Sequence, residues 1–163
     1  MDSVGYYPSP LGMLRITYEE NLLLTLDFCQ EEGTGPIPEE ARLWLDRYFA
    51  GLDPGKIPPF RFPAVSAFRR TVWELLLEIP YGQTVTYGAL ANKMAARGFG
   101  KCPQAIGGAV GSNPISLMIP CHRVVGAGGN LTGYAEGLIK KKLFLLWKAH
   151  GRGTQCERTF ALW

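Results

Sequence analysis

The 163-residue chain is poor in histidine, with only His122 and His150, and its four cysteines (29, 102, 121 and 156) form no C-x-x-C pair. That scarcity argues against a structural zinc site, which draws its ligands from closely spaced cysteines and histidines. No apolar run approaches the ~20 residues that a membrane span requires. Met1-Asp2-Ser3-Val4 lacks a basic stretch leading into an apolar one, so no secretory leader is expected. Thiols without an export signal fit a reducing compartment, and a cytoplasmic protein with free cysteines is the expectation. Glycine is plentiful at 20 residues, yet neither G-x-G-x-x-G nor G-K-[ST] occurs, which argues against a nucleotide-binding loop.

Acidic residues are scarce in the second part of the chain. Residues 61–163 carry four acidic and thirteen basic groups, a balance of +9, whereas residues 1–60 carry ten acidic and four basic, a balance of −6. The overall +3 hides this division. A basic C-terminal part facing a polyanion is the natural reading, and nucleic acid is the obvious polyanion. Lys140-Lys141-Lys142 taken alone is equally a solvated helix face.

What is present begins with strands. Gly5-Tyr6-Tyr7, the alternating Met13 to Tyr18, and Leu22 to Phe28 are separated by turns at Pro8 to Gly12 and Glu19-Glu20-Asn21, which predicts an antiparallel meander. Pro38-Glu39-Glu40 opens a helix with proline and carboxylates in its first turn. Leu43, Trp44, Tyr48 and Phe49 give that helix an apolar stripe, and Gly51 ends it. Residues 52–64 hold prolines 54, 58, 59 and 63, a stiff extended linker rather than a floppy one. The domain boundary is placed there, giving residues 1–58 and 59–163.

Ser66 is positioned to cap a helix carrying Phe68, Val72, Leu75, Leu76 and Ile79 on one face, stopped by Pro80-Tyr81-Gly82. Thr86 caps a second, Tyr87 to Ala96, and Pro103 opens a third, 103–110, which Gly111-Ser112-Asn113-Pro114 ends. The last two form a helix-turn-helix candidate, although the six residues 97–102 exceed its usual turn. The third helix contains Gly107 and Gly108, each of which costs about 1 kcal/mol relative to alanine. Such a pair persists where side chains would block an approach. Helix packing against helix on one face, and a nucleic-acid backbone on the other, are both expected.

The chemistry concentrates in Ile115 to Val125, an apolar segment read as extended and largely buried. Within it stand a thiol, an imidazole and a guanidinium in succession. Buried ionisable groups need partners or a task. Cysteine attacks as the thiolate, a form that cationic neighbours favour. Cys121 therefore reads as a sheltered nucleophile, with a small buried hydrophobe as the plain alternative. The loop Gly126 to Tyr134 follows, and Leu138 to His150 reads as a basic amphipathic helix.

Pro120-Cys121-His122-Arg123-Val124 resembles the active-site motif of the O6-alkylguanine-DNA alkyltransferases, also called methylated-DNA–protein-cysteine methyltransferases. The resemblance runs from about Phe60 to Lys148 and more loosely into the N-terminal part. It implies an α/β chain: a small structural sheet-plus-helix domain, a proline-rich linker, and a mainly helical domain with a winged-helix-like helix-turn-helix. It implies direct, single-turnover transfer of an alkyl group from O6-alkylguanine in double-stranded DNA to Cys121, by a monomer that needs no cofactor or metal. His122 would take the thiol proton through water. Tyr87 would press on a phosphate and protonate the departing base, and Asn113 would form the Asn-Pro hinge. Gln104, Ala105, Gly107, Gly108 and Arg123 would contact DNA, and Val124 and Tyr134 would line the base pocket.

Two positions depart from the family pattern. Gln104 stands where most relatives carry arginine, and Lys148 where they carry the glutamate that supports the histidine. Glu136 is another carboxylate available for that support. Competing readings are a non-catalytic protein that binds alkylated DNA and flags it, a helix-turn-helix regulator, and a thiol hydrolase. In an extended segment adjacent Cys and His point to opposite faces, which makes a local dyad awkward. The tail from Gly151 to Trp163 matches nothing in the family.

Overall fold

Alternation in the first thirty residues produces three antiparallel strands in sequential order: β1 (Ser3–Ser9), β2 (Gly12–Glu19) and β3 (Leu22–Cys29). The protein is described from a computed structural model covering residues 1–100 and 102–126. The loop beyond Gly126, Tyr134, Glu136, the helix expected over 138–150, Lys148 and the 151–163 tail lie outside the described residues. Leu14 and Ile16 of β2 are fully buried and face Phe28 and Leu26 across the sheet. The pairing slips at Leu24, because Thr17 faces Thr25 while Tyr18 faces Leu23. That slip turns Leu23 and Leu26, three residues apart, to the buried side together.

The edge of β3 away from β2 is taken by two later segments. Leu23 donates its amide to Pro59 O (2.9 Å) and accepts from the amide of Arg61 (2.9 Å), so the proline-rich linker pairs with the sheet at Phe60. Leu26 repeats the pattern, donating to Pro114 O (3.0 Å) and accepting from the amide of Ser116 (2.9 Å). Both contacts are parallel, and together they cover an edge otherwise open to further pairing.

Helix α1 (Glu39–Phe49) starts as expected, with Arg42 bonded to Glu39 and Asp46 on its outer face. Its buried stripe differs from the sequence reading. Ala41, Trp44, Leu45, Tyr48 and Phe49 face inward at helical spacing, while Leu43 is 49% exposed. At about 100° per residue Leu43 points nearly opposite the centre of this stripe, which the sequence reading drew too wide. Gly51, at φ 78°, ends the helix in the left-handed region that favours glycine.

The chain groups into two compact units, Met1–Ala64 with Pro114–Met118, and Val65–Asn113 with Ile119 onward. In the second, α2 (Ala67–Leu77) begins at Ser66, whose hydroxyl accepts from the amide of Arg69. Val72, Leu75, Leu76 and Ile79 are buried as expected, and Phe68 is half-buried against Phe99. Trp73, outside the predicted stripe, is 1% exposed and donates from Nε1 to Ala109 O at 2.8 Å.

A short strand β4 (Val85–Thr86) leads into α3 (Tyr87–Ala96), capped by Thr86, whose Oγ1 accepts from the amide of Ala89 at 3.0 Å. Then α4 (Pro103–Gly111) packs on α2 and α3 through Ile106, Ala109 and Val110. No helix among the described residues is long and apolar enough to cross a membrane.

The glycines of α4 correct half of one expectation. A Cβ placed on Gly107 or Gly108 would meet no atom of the described protein within 4 Å, so close packing of helix on helix does not explain either glycine. Both belong to the open side of the helix. Replacing Gly108 with alanine should therefore stabilise the isolated protein by about 0.5–1 kcal/mol, read as a higher urea midpoint with unchanged slope.

Candidate active site

The segment between α4 and Val125 contains almost no regular structure, so each anchor of its backbone matters. Asn113, 7% exposed, donates from Nδ2 to Ile119 O at 2.7 Å, tying together the two ends of the loop Pro114–Met118. Inside that loop Leu117 is held at φ 70°, a conformation that costs a side-chain-bearing residue about 1 kcal/mol or more. The expected extended run through the reactive string does not form. Cys121–Arg123 instead makes one 3-10 turn, with Arg123 N donating to Pro120 O (3.0 Å) and Val124 N to Cys121 O, while just before it Cys121 N donates to Ile119 O (2.7 Å) across Pro120. Pro120, which has no amide to donate, stands immediately before the turn.

Only the last two residues are strand. β5 (Val124–Val125) pairs in parallel with β4, Val124 opposite Val85 and Thr86 opposite Val125. This pairing brings the chain leading into Tyr87 beside the chain leaving Cys121, although 34 positions separate these two residues in sequence. Tyr87 is half-buried at the start of α3.

Cys121 is 3% exposed and His122 2% exposed, so the thiol and imidazole are sheltered as the sequence reading expected. The 3-10 turn removes an objection raised from an extended chain. With about three residues per turn, successive side chains diverge by about 120° rather than pointing to opposite faces. Val124 is fully buried. Tyr134, the other expected pocket residue, lies outside the described residues.

Arg123 requires a correction. Expected on the DNA-facing surface, it is 7% exposed, and its guanidinium donates to Ile79 O (3.3 Å) and lies 5.3 Å from the Tyr81 ring centroid. A cation turned inward onto a helix-end carbonyl and an aromatic face is not offered to a phosphate. Ile79 and Tyr81 were read from sequence only as the end of a helix and its stop. No periodicity signals their contact with Arg123, because the partners are 44 residues apart for Ile79.

The remaining candidates share one surface. Gln104, Ala105 and Gly108 are exposed and Gly107 half-buried along α4, while Ile106, Ala109 and Val110 point inward. Apart from Gln104, this outer face presents little beyond backbone and a methyl group.

Two family models match the chain. One, described as the DNA binding domain of 6-O-methylguanine DNA methyltransferase, covers residues 67–149, and the other, its ribonuclease-like domain, covers residues 4–54. The chain is 38% identical over 151 residues to a methylated-DNA–protein-cysteine methyltransferase of Haemophilus influenzae, spanning 86% of this chain and 82% of that protein. The chain belongs to this methyltransferase family. A relative of the same name from Methanosarcina acetivorans is 36% identical over 152 residues, covering 85% of this chain and 93% of that one. In three dimensions the O6-methylguanine methyltransferase of Mycobacterium tuberculosis superposes with a TM-score of 0.79 at 32% identity, covering 92% and 94% of the two chains. The same mycobacterial protein solved in complex with DNA gives 0.77, over 90% and 93%. A small N-terminal sheet-and-helix part followed by a mainly helical part, as expected from sequence, is the architecture these structures share.

Proposed function

We propose that the protein repairs DNA by moving an alkyl group from O6 of a damaged guanine onto Sγ of Cys121, once per molecule. The observation that carries this reading is a cysteine in Pro120-Cys121-His122-Arg123-Val124, held 3% exposed on a tied-down turn in a chain of this family. Guanine O6 lies within the base stack, so the nucleotide must rotate out, at a cost of a few kcal/mol, before a buried thiol can reach it.

The transfer balances without a redox partner or cofactor. Sγ forms a bond to the alkyl carbon as the carbon–O6 bond breaks, and that bond's electron pair leaves with the guanine. His122 is assigned to take the thiol proton through a water, and Tyr87 to donate a proton to the departing base, a role within the reach of a phenol. The product is a thioether, which water does not cleave, so the cysteine is not regenerated.

Double-stranded DNA is the assigned partner, and the exposed side of α4 the assigned contact. Gly107, Gly108 and Ala105 let a sugar-phosphate backbone approach closely, while Gln104 supplies one uncharged wedge of moderate length. The +9 balance of residues 61–163 supplies attraction to phosphates. Residues 1–58 are assigned a structural role and 59–163 the DNA-binding and acceptor role, with a cytoplasmic monomer as the working form. Asn113 is assigned the hinge before the reactive segment.

Incubation with a duplex containing O6-methylguanine should add one methyl group to the intact mass, mapped to the peptide containing Cys121. Cys121→Ser should abolish that gain while duplex affinity stays within about threefold. A wild-type thiol left unmodified by excess lesion would leave only damage recognition. Duplex affinity should fall as salt rises, with log K linear in log salt; a flat response would count against a phosphate-tracking face. Gly108→Ala, although stabilising in the free protein, should weaken duplex binding; unchanged affinity would show that α4 does not make the close approach.

A further inference from the structure

We infer that Arg123 and Tyr81 form an internal brace that fixes the position of the Cys121 sulfur for alkyl transfer. The inference rests on the repair reading above and assigns to this pair a role in the rate of the reaction, not in holding DNA.

Arg123 is the last residue of the three-residue turn that begins with Cys121. The residue is 7% exposed, and its guanidinium reaches back to Ile79 O, two residues beyond the end of α2. The C-terminal end of a helix carries partial negative charge on carbonyls that lack intrahelical partners, so a cation is favoured there. The Tyr81 ring lies within cation–π range of the same guanidinium, at 5.3 Å. One side chain thus ties the far end of the reactive turn to the end of α2 and to the segment that follows it.

Stability alone is a poor reason for this arrangement. Burying a cation carries a large desolvation penalty, and an apolar side chain of similar volume at such a site is often neutral or better. What a guanidinium adds is direction, because its planar fork fixes angle as well as distance. Direction matters here. The 3-10 turn is held by two backbone bonds, from Arg123 N to Pro120 O and from Val124 N to Cys121 O. Rotation of the turn about the chain would swing Sγ out of line. A single displacement needs the attacking sulfur, the alkyl carbon and O6 collinear, and a displacement of about 1 Å can slow a positioned reaction by about a hundredfold. Asn113 holds the entry to the turn through Ile119 O, β5 holds its exit, and Arg123 fixes the rotation between them.

The test compares full-length wild type with Arg123→Met, Arg123→Lys, Tyr81→Leu and Tyr81→Phe. Each is measured for single-turnover methyl transfer from an O6-methylguanine duplex and for equilibrium duplex affinity, after circular dichroism confirms a folded chain. Arg123→Met and Tyr81→Leu should transfer about tenfold or more slowly, with affinity within about twofold of wild type. Tyr81→Phe, which keeps the ring, should recover most of that loss, whereas Arg123→Lys, which keeps the charge but not the planar fork, should stay slow. The midpoint of the pH–rate profile should stay in place, because a brace alters alignment and not proton affinity. Wild-type rates in folded Tyr81→Leu would overturn the brace, and so would a parallel loss of affinity and rate. Should Arg123→Met fail to fold, the half-exposed Tyr81 carries the test alone. A wild-type protein that accepts no methyl group would instead bring down the repair reading, which keeps the two failures distinct.

Discussion

The bond from Asn113 Nδ2 to Ile119 O is the constraint on which the geometry of the reactive segment depends. The chain between α4 and β5 has neither helical nor sheet periodicity to hold it, so its shape must come from individual bonds. A buried amide–carbonyl bond contributes only about 1 kcal/mol net. Its absence would take this acceptor from the buried Nδ2 of Asn113, while Ile119 O keeps the amide of Cys121, and a buried donor deprived of its acceptor costs more than the bond contributes. That asymmetry makes the loop neck close to obligatory. Once the neck is closed, the left-handed Leu117 is tolerated, and the three residues after Pro120 turn. A thiol placed by such over-determination stays put without belonging to any element.

The proposed DNA contact on α4 poses a separate problem, that of meeting a rod-like polyanion closely. Ordinary helices hold their partners off by the length of their side chains. The outer face of α4 is stripped to backbone and methyl groups apart from Gln104, and nothing in the described protein fills the space above Gly107 and Gly108. The helix accepts poorer intrinsic propensity in return for an open face. Its inner face repairs the loss through Ile106, Ala109 and Val110, and through the indole of Trp73 donating to Ala109 O.

Much of this was legible in the sequence, for definable reasons. Turn residues and alternation located the three strands, and Ser66, Thr86 and Pro103 marked three helix starts that the structure keeps. These are local signals, carried within a few residues. The reactive string was legible because its residue types are chemically unusual in apolar surroundings. What escaped was non-local or irregular. Leu43 was assigned inward because it is apolar, although helical spacing puts it nearly opposite the stripe through Ala41 and Leu45. Cys121 to Arg123 looked extended because β-branched residues follow, and a one-turn helix leaves no periodic trace. Arg123 was placed on DNA through the family resemblance, and its contact with an aromatic ring and a carbonyl just beyond α2 is non-local, so nothing in the local sequence signals it.

The shared edge of β3 has a consequence for how the molecule is made. Synthesis delivers Leu23 and Leu26 early, but the segment that pairs with Leu26 through Pro114 and Ser116 is translated much later. Until then the nascent sheet carries unsatisfied amides and carbonyls along one border, the kind of template on which other chains assemble. Phe60 arrives first and shields part of it, with prolines 58 and 59 beside it that cannot themselves nucleate further pairing. Closure of the remainder waits for the stretch just upstream of the nucleophile. Closure of this border and arrival of the cysteine thus fall close together in synthesis, so a chain interrupted before that point is left both without its thiol and adhesive.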